Sequence, residues 1–351
     1  MDVCRAIGSI HDVQKLMITI MEQVTQAFGA DRSSVYLHDP QRHELWTLVA
    51  QGLDQHRALR LPDNQGLSGH VFQANKSMLV ADTLSSPFFG RDYAERIGYR
   101  PRSMLLVPLH ARNQRCTGVL QVMDRRIDYF NGEDLALLEA IGVQVSICVE
   151  NAALHEAQER QFRSFVGALS AALDARDPLT AIHSINVSNY AMGIGTRLGL
   201  DTRSLERLRI AGLIHDIGKI GVREALLTKP GSLTPEEYAE MKRHADQTHR
   251  ILSKIEFTED LAGVEAVASA HHERLDGSGY PQGLAGDAIP LPARILAVAD
   301  VFDALTQKRH YRNGMSMAKA FATIDNMVPH ALDRRCVDAL RAFLGCGKGA
   351  A

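Results

Sequence analysis

The pattern of apolar and polar positions changes period once along this chain. Near the start, Val13, Leu16, Met17, Ile20, Met21 and Val24 recur at three- and four-residue steps, which predicts an amphipathic helix over residues 12–28. Residues 33–38, 44–51, 103–110 and 116–123 are instead short β-rich runs, bounded by Asp39-Pro40, Pro62-Asp63-Asn64 and Arg112-Asn113-Gln114, and read as strands between turns. Strands adjacent in order, with helices around them, predict an α+β domain built on an antiparallel sheet.

From Asn131 the strand signal stops. Asn131 is a candidate N-cap, with Glu133 and Asp134 in the first turn, where carboxylates suit the helix dipole. Leu135, Leu138, Ile141, Val145, Val149 and Ala152 follow at helical spacing, and Leu154, Phe162, Phe165, Leu169 and Leu173 carry it on to Asp177-Pro178. Roughly 40 residues of helix would span on the order of 60 Å, more than either domain needs internally. The stretch is either two helices with a break near 156–160, or one connecting helix that pairs with its copy in a parallel homodimer. Beyond residue 180 the pattern is helical throughout, interrupted at Gly199, Gly231-Ser232, residues 276–283 and Pro290; residues 345–351 look frayed.

The length of 351 residues suits two domains. With 39 Lys and Arg against 41 Asp and Glu, the net charge of −2 argues against a basic nucleic-acid coat or an acidic tail. Five scattered Cys, with no CxxC, suggest free thiols in a reducing cytoplasm. No uninterrupted apolar run approaches a membrane span and no signal-peptide core is visible, so the expectation is a cytoplasmic protein without membrane insertion.

The chemistry lies in the second half. His183, His215-Asp216, His244, His271-His272 and Asp300 sit in helical contexts. His215-Asp216 falls in the apolar helical segment 208–219; a buried Asp there is costly unless paired or metal-bound. Taken singly, each element has a plain reading: a helix-end Asp with an incidental His, a solvated His pair, a surface His244. Asp300 is harder to set aside, because Ile295, Leu296, Val298 and Ala299 precede it and Val301-Phe302 follow. Imidazole and carboxylate without Cys form a ligand set for Zn, Mn, Fe or similar divalent ions. The turn-rich stretch 276–283, following His271-His272, is a connector or an active-site wall.

The strings His215-Asp216-Ile217-Gly218-Lys219 and His271-His272-Glu273-Arg274-Leu275-Asp276-Gly277-Ser278-Gly279-Tyr280-Pro281 resemble the HD-GYP subgroup of the HD phosphohydrolase superfamily, a likeness running over about residues 165–343. It implies an all-helical domain hydrolysing cyclic di-GMP or a related cyclic dinucleotide at two clustered divalent metals. By that resemblance His183, His215, Asp216 and Asp300 hold one metal, and Asp216 bridges to a second held by His244, His271 and His272. Asp216 and Lys219 would serve catalysis, and Lys219, Gly279, Tyr280, Pro281, Arg309 and Arg312 would bind substrate. Ala245, His310 and Ala331-Leu332-Asp333-Arg334 depart from the family pattern without removing a ligand. Some HD-GYP proteins place a Glu four residues before the first ligand His to help hold a third metal. Leu179 stands there, so the expectation is two metals, with Asp303 the alternative donor for a third.

The first half resembles a GAF sensory domain, through Phe28-Gly29-Ala30-Asp31-Arg32, Gly66-Leu67-Ser68-Gly69, residues 103–109 and Gly118-Val119-Leu120-Gln121-Val122. Phe130 and Asp134 match part of the pattern of cyclic-nucleotide-binding GAF domains, but Asp124-Arg125 replace its Asn-Lys, so the ligand stays unnamed. The expected plan is an α+β GAF domain over residues 1–150, its closing helix extending to about 175, then an all-α HD-type domain over 160–345. The leading expectation is a cyclic dinucleotide phosphodiesterase under GAF control, with a nucleic-acid polymer not expected as partner. The alternative is a catalytically silent cyclic di-GMP receptor acting through signalling partners.

Overall fold

The computed structural model describes residues 10–51, 59–90, 94–95, 98–125, 129–175, 182–229, 231–307 and 314–346. The chain divides into two compact units, Met1–Gln161 and Phe162–Ala351.

In the first unit a helix, α1 (Ile10–Ala27), precedes β1 (Ala30–Asp39), β2 (Glu44–Ala50), β3 (Arg60–Pro62), α2 (Gly66–Ala74), β4 (Met78–Val80), β5 (Met104–His110) and β6 (Cys116–Arg125). The six strands form one antiparallel sheet in the order β3-β2-β1-β6-β5-β4. The two three-residue strands, β3 and β4, are the edges; they are too short to leave a periodic signal in the sequence.

The central strands read as nearly continuous apolar runs because both sheet faces are covered. Side chains alternate along β5, so Leu105, Val107 and Leu109 join Leu120 and Val122 of β6 on one face, against Met17, Met21 and Val24 of α1. Met104 and Leu106 join Val119 and Met123 on the other, against Leu67 and Val71 of α2.

A single helix, α3, spans Gly132–Asp174 over 43 residues, so the sequence alternative of a break near 156–160 is not what forms. Asn131 caps it: its Oδ1 accepts from the amides of Glu133 (2.8 Å) and Asp134 (3.1 Å), while Asp134 Oδ2 accepts from the amide of Asn131 (2.9 Å), a reciprocal cap. Leu138, Val145, Cys148 and Ala152 join the sheet core, and Val166 joins the core of the second unit. This helix is also long and partly apolar. Residues Gly132–Leu173 contain an 18-residue window of mean hydropathy 1.4, enough by length and composition to cross a bilayer. Scanning for uninterrupted runs misses it, because polar residues punctuate the window.

The second unit is helical: α4 (His183–Arg197), α5 (Thr202–Ile214), a 3₁₀ turn (Ile217–Gly221), α6 (Glu224–Leu227), α7 (Pro235–Leu252), α8 (Val264–Ser269), α9 (Leu291–Thr306), α10 (Met317–Asp325) and α11 (Arg334–Phe343). Each interruption expected from sequence is there, with Gly199 at φ +77° after α4 and Pro290 capping α9. The core joins Val187, Ala191 and Ile194 of α4 to Leu208, Ile210 and Ala211 of α5 and to Ile295, Val298 and Phe302 of α9. Those three helices position the site.

Candidate metal centre

His215 and Asp216 do not lie within a helix, as the sequence pattern suggested. Helix α5 ends at Ile214, His215 is its C-cap, and Asp216 (φ −97°, ψ 10°) opens the 3₁₀ turn. Tertiary packing sets this break. A Cβ on Gly218 would fall 1.9 Å from the His244 carbonyl oxygen and 2.5 Å from the Thr248 amide, so only glycine lets the turn press against α7. Thr248 stitches the two together, accepting from the Gly218 amide (3.0 Å) and donating its hydroxyl to the His215 carbonyl (2.9 Å). This contact carries Asp216 to His244, which is buried rather than a surface residue.

Four further ligand candidates converge from separate elements. His183 opens α4, Asp300 lies mid-α9, and His271-His272 follow α8. The carboxylate of Asp216 faces two ways. Oδ2 lies 3.8 Å from His183 Nε2 and 3.4 Å from His215 Nε2; Oδ1 lies 3.5 Å from His244 Nε2 and 3.9 Å from His271 Nε2. Asp300 Oδ1 lies 3.4 Å from His183 Nε2 and 3.9 Å from His215 Nε2. Donor atoms of His183, His215 and Asp300 lie within 4.8 Å of one another, as do those of His244, His271 and His272.

The tautomers of three imidazoles follow from their neighbours. Nδ1 of His215, His244 and His271 sits 2.8, 2.6 and 2.6 Å from the carbonyls of Gly212, Met241 and Ala268. A carbonyl only accepts, so Nδ1 carries the hydrogen and a neutral ring keeps its lone pair on Nε2. All three Nε2 atoms are buried without a hydrogen-bond partner. Converging orphaned lone pairs beside two carboxylates fit a divalent cation, because a buried polar atom is costly unless something satisfies it.

The electrostatics agree. Burial pushes His244 and His271 down and His272 to about 3, which keeps these imidazoles neutral, the form that ligates. Burial alone would raise the Asp216 and Asp300 carboxyls, but the Lys219 ammonium beside Asp216 and the His183 imidazole hydrogen-bonded to Asp300 hold both well below the usual carboxylate range. His183 goes the other way. Burial opposes its charged form, yet hydrogen bonding to Asp300 and Asp303 outweighs burial and pushes it up to about 10.

Asp303, the alternative third-metal donor, is committed elsewhere. Its Oδ2 lies 2.6 Å from His183 Nδ1 and its Oδ1 accepts from Asn186 Nδ2 at 3.1 Å. It therefore orients His183. Lys219 donates to Asp216 Oδ2, with its side chain a third exposed. The Tyr280 ring packs 4.6 Å from that of His272 and 6.3 Å from that of His244; Gly279 and Pro281 flank it in the same loop. Leu179, Arg309 and Arg312 lie outside the described residues. Asp333, one of the departures from the family pattern, caps α11 and accepts from Arg335 and Arg294.

Sequence reasoning passed over Glu273, Asn186 and Thr248. Thr248 and Asn186 leave no signal, since a lone polar residue in a helix is ordinary. Glu273 stands beside the His pair.

In the first unit, Asp124 replaces an Asn of the nucleotide-binding pattern and has a bracing role. Its Oδ1 accepts from the amides of Arg102 (2.6 Å) and Ser103 (3.1 Å), and its Oδ2 from the Tyr99 hydroxyl (2.8 Å).

In the chain, the antiparallel sheet unit is followed by a helical unit whose buried histidines and aspartates converge in two groups around one shared carboxylate. Comparison with known proteins supplies the names. The GAF domain profile matches residues 12–149 and the HD domain profile residues 165–336, so this chain is a GAF domain followed by an HD domain. A 3'3'-cGAMP-specific phosphodiesterase 3 of Vibrio cholerae is 42% identical over 179 residues, covering 51% of this chain and 38% of that protein. A cyclic di-GMP phosphodiesterase response regulator of Xanthomonas campestris is 41% identical over 189 residues, covering 54% and 50%. A cyclic di-GMP phosphodiesterase of Thermotoga maritima is 41% identical over 152 residues, covering 43% and 41%. The chain thus spans half or less of the length of these curated relatives.

Proposed function

We propose that this chain hydrolyses a phosphodiester bond of a cyclic dinucleotide, cyclic di-GMP or its mixed guanine–adenine counterpart, under control of its GAF domain. The observation that carries the reading is the Asp216 carboxylate, one oxygen facing His183 and His215 and the other facing His244 and His271. His183, His215, Asp216 and Asp300 would hold one divalent cation and His244, His271 and His272 a second, with Asp216 shared. When bound, such a pair, iron, manganese or similar, would supply positive charge against the phosphodiester and the leaving oxygen and would lower the pKa of water toward neutrality.

The protein's own groups do the rest. Asp303 holds the His183 Nδ1 proton and fixes which nitrogen faces the centre. Lys219, partly exposed and resting on Asp216, offers its ammonium to a non-bridging phosphate oxygen. Tyr280 sets one wall beside His272, with Gly279 and Pro281 shaping the backbone there. Arg309 and Arg312 supply planar guanidinium groups to phosphate or base. Leu179 offers no donor atom, which supports two metals per chain, not three.

Helix α3 leaves Leu137, Val143, Ile147, Leu154 and Phe165 exposed, which supports a parallel homodimer through this helix. GAF control then requires a ligand with different affinity for two helix arrangements. The chain works in the cytoplasm in this reading, and the apolar window of α3 serves packing.

The test measures hydrolysis of cyclic di-GMP and of the mixed dinucleotide by metal-loaded protein, before and after chelation, with metal quantified. Two metals per chain and chelator-sensitive hydrolysis are expected. Binding without hydrolysis at full metal loading would favour a silent receptor, and a reproducible three metals would overturn the two-metal assignment. Sedimentation as a monomer at micromolar concentration would count against the dimer.

A further inference from the structure

Residues 275–286 fold into a small closed hairpin directly after the His pair. The Gly286 amide donates to the Leu275 carbonyl (2.9 Å), Asp276 pairs with Ala285, and the Gly277 amide donates to the Arg274 carbonyl (2.8 Å). Gly277 (φ +77°) and Gly283 (φ +67°) supply the left-handed conformations its corners need. Tyr280 lies between them.

Inside the hairpin sits Glu273, only 2% exposed. Its Oε1 accepts from the Gln282 amide at 2.7 Å and its Oε2 from the Leu284 amide at 2.9 Å. Both oxygens thus belong to the returning strand, which separates Glu273 from the ligand carboxylates Asp216 and Asp300. On the other side the Tyr280 amide donates to the His272 carbonyl at 3.3 Å. A Cβ on Gly279 would fall 2.4 Å from the Arg274 amide, 2.5 Å from the Glu273 Cα and 2.6 Å from the His272 carbonyl oxygen. The hairpin therefore lies backbone against backbone on residues 272–274.

We propose that Glu273 is a positioning residue, a carboxylate latch that fixes the hairpin and so sets Tyr280 beside His272, where substrate is bound. The inference rests on the phosphodiesterase reading for its effect on substrate, but the latch itself does not. A buried carboxylate demands full hydrogen bonding. Here the demand is met only when the chain returns at Gln282 and Leu284, which leaves one geometry for the residues between. A Gln at 273 is nearly isosteric but turns one acceptor into an N–H₂ donor, which would confront a backbone N–H.

The experiment uses the full-length, metal-loaded protein and compares Glu273→Gln, Gly279→Ala, Tyr280→Ala and the double variant Glu273→Gln/Tyr280→Ala with the parent. Amide hydrogen exchange over residues 280–286 is expected to accelerate at least ~10-fold in Glu273→Gln and in Gly279→Ala, with metal content kept at the parent value. KM for cyclic di-GMP is expected to rise about tenfold in Glu273→Gln. In the Tyr280→Ala background the same change should cost little more, because the two residues act through one element. Unchanged amide exchange, or a KM penalty that persists in full without Tyr280, overturns the proposal. If the parent neither binds nor hydrolyses a cyclic dinucleotide, the function reading fails, and amide exchange still decides whether Glu273 holds the hairpin.

Discussion

In the sheet unit, buried polar side chains find partners close by; at one point of the helical unit, three buried imidazoles leave lone pairs open. Beneath the sheet, Ser33 Oγ donates to the Met21 carbonyl (2.9 Å), and Gln51 Oε1 accepts from Thr25 Oγ1 (2.6 Å) and the Ser33 amide (2.9 Å). On the other face Ser68 donates to Gln121 (3.0 Å). Among the described residues that unit leaves one orphaned imidazole nitrogen, His38 Nδ1, whereas the helical unit leaves three that converge on one carboxylate. A network that closes on itself stabilises a fold, while one that stays open toward a common point is waiting for a ligand. The contrast separates polar groups that close on their neighbours from those that converge without closing.

Removing the shared carboxylate should break the contrast most severely. Asp216→Ala takes away both facing oxygens, and hydrolysis is expected to fall by more than ~100-fold, beyond the usual effect of losing an outer partner of a ligand. Metal content should fall with it; activity within a few-fold of the parent would sink the two-metal reading.

The opposite change tests the packing side. Leu120, fully buried on β6, should cost ~2–5 kcal/mol of stability on truncation to Ala. Denaturant melts should report that loss while metal content of the folded fraction stays at the parent value. A parallel loss of metal would show that the sheet core and the candidate metal centre are not independent.

Asp303 sharpens the comparison within the helical unit, since it touches a ligand candidate without facing the centre. Asp303→Asn is expected to reduce metal affinity or hydrolysis by ~10–100-fold, readable by titration with the metal alone.

The smallest effect belongs to Asp333, a closed network in the helical unit. Burial would raise its carboxyl, but hydrogen bonds from Arg335 and Arg294 outweigh it and hold it below the usual carboxylate value. A carboxyl lowered on folding contributes stability above its unfolded pKa of about 4 and loses it as pH falls through the folded value. Asp333→Asn keeps a capping oxygen but removes the charge facing Arg335 and Arg294, and should therefore cost ~1 kcal/mol near pH 7, a difference that narrows below about pH 4. A difference independent of pH would show that the charge at Asp333 contributes nothing.

Much of this was legible before folding, and the reason is range. Strand alternation, the stripe of α3 and the cap at Asn131 are written in residues a few positions apart, and local backbone geometry reads them directly. The candidate donors were legible too, because His-Asp, His-His and an Asp within an apolar stripe are unusual residues for their surroundings. Packing decided the rest. The end of α5 at Ile214 follows from Gly218 meeting α7, and the orientation of His183 from Asp303, 120 residues away. That the Asp216 oxygens divide between two imidazole groups, and that Glu273 bonds the hairpin rather than facing those groups, depends on distances between separate elements. Residues a few positions apart set the period of each element and the chemistry available to it. Which donors meet was left to tertiary packing, because convergence is set by the close packing of helices far apart in the chain.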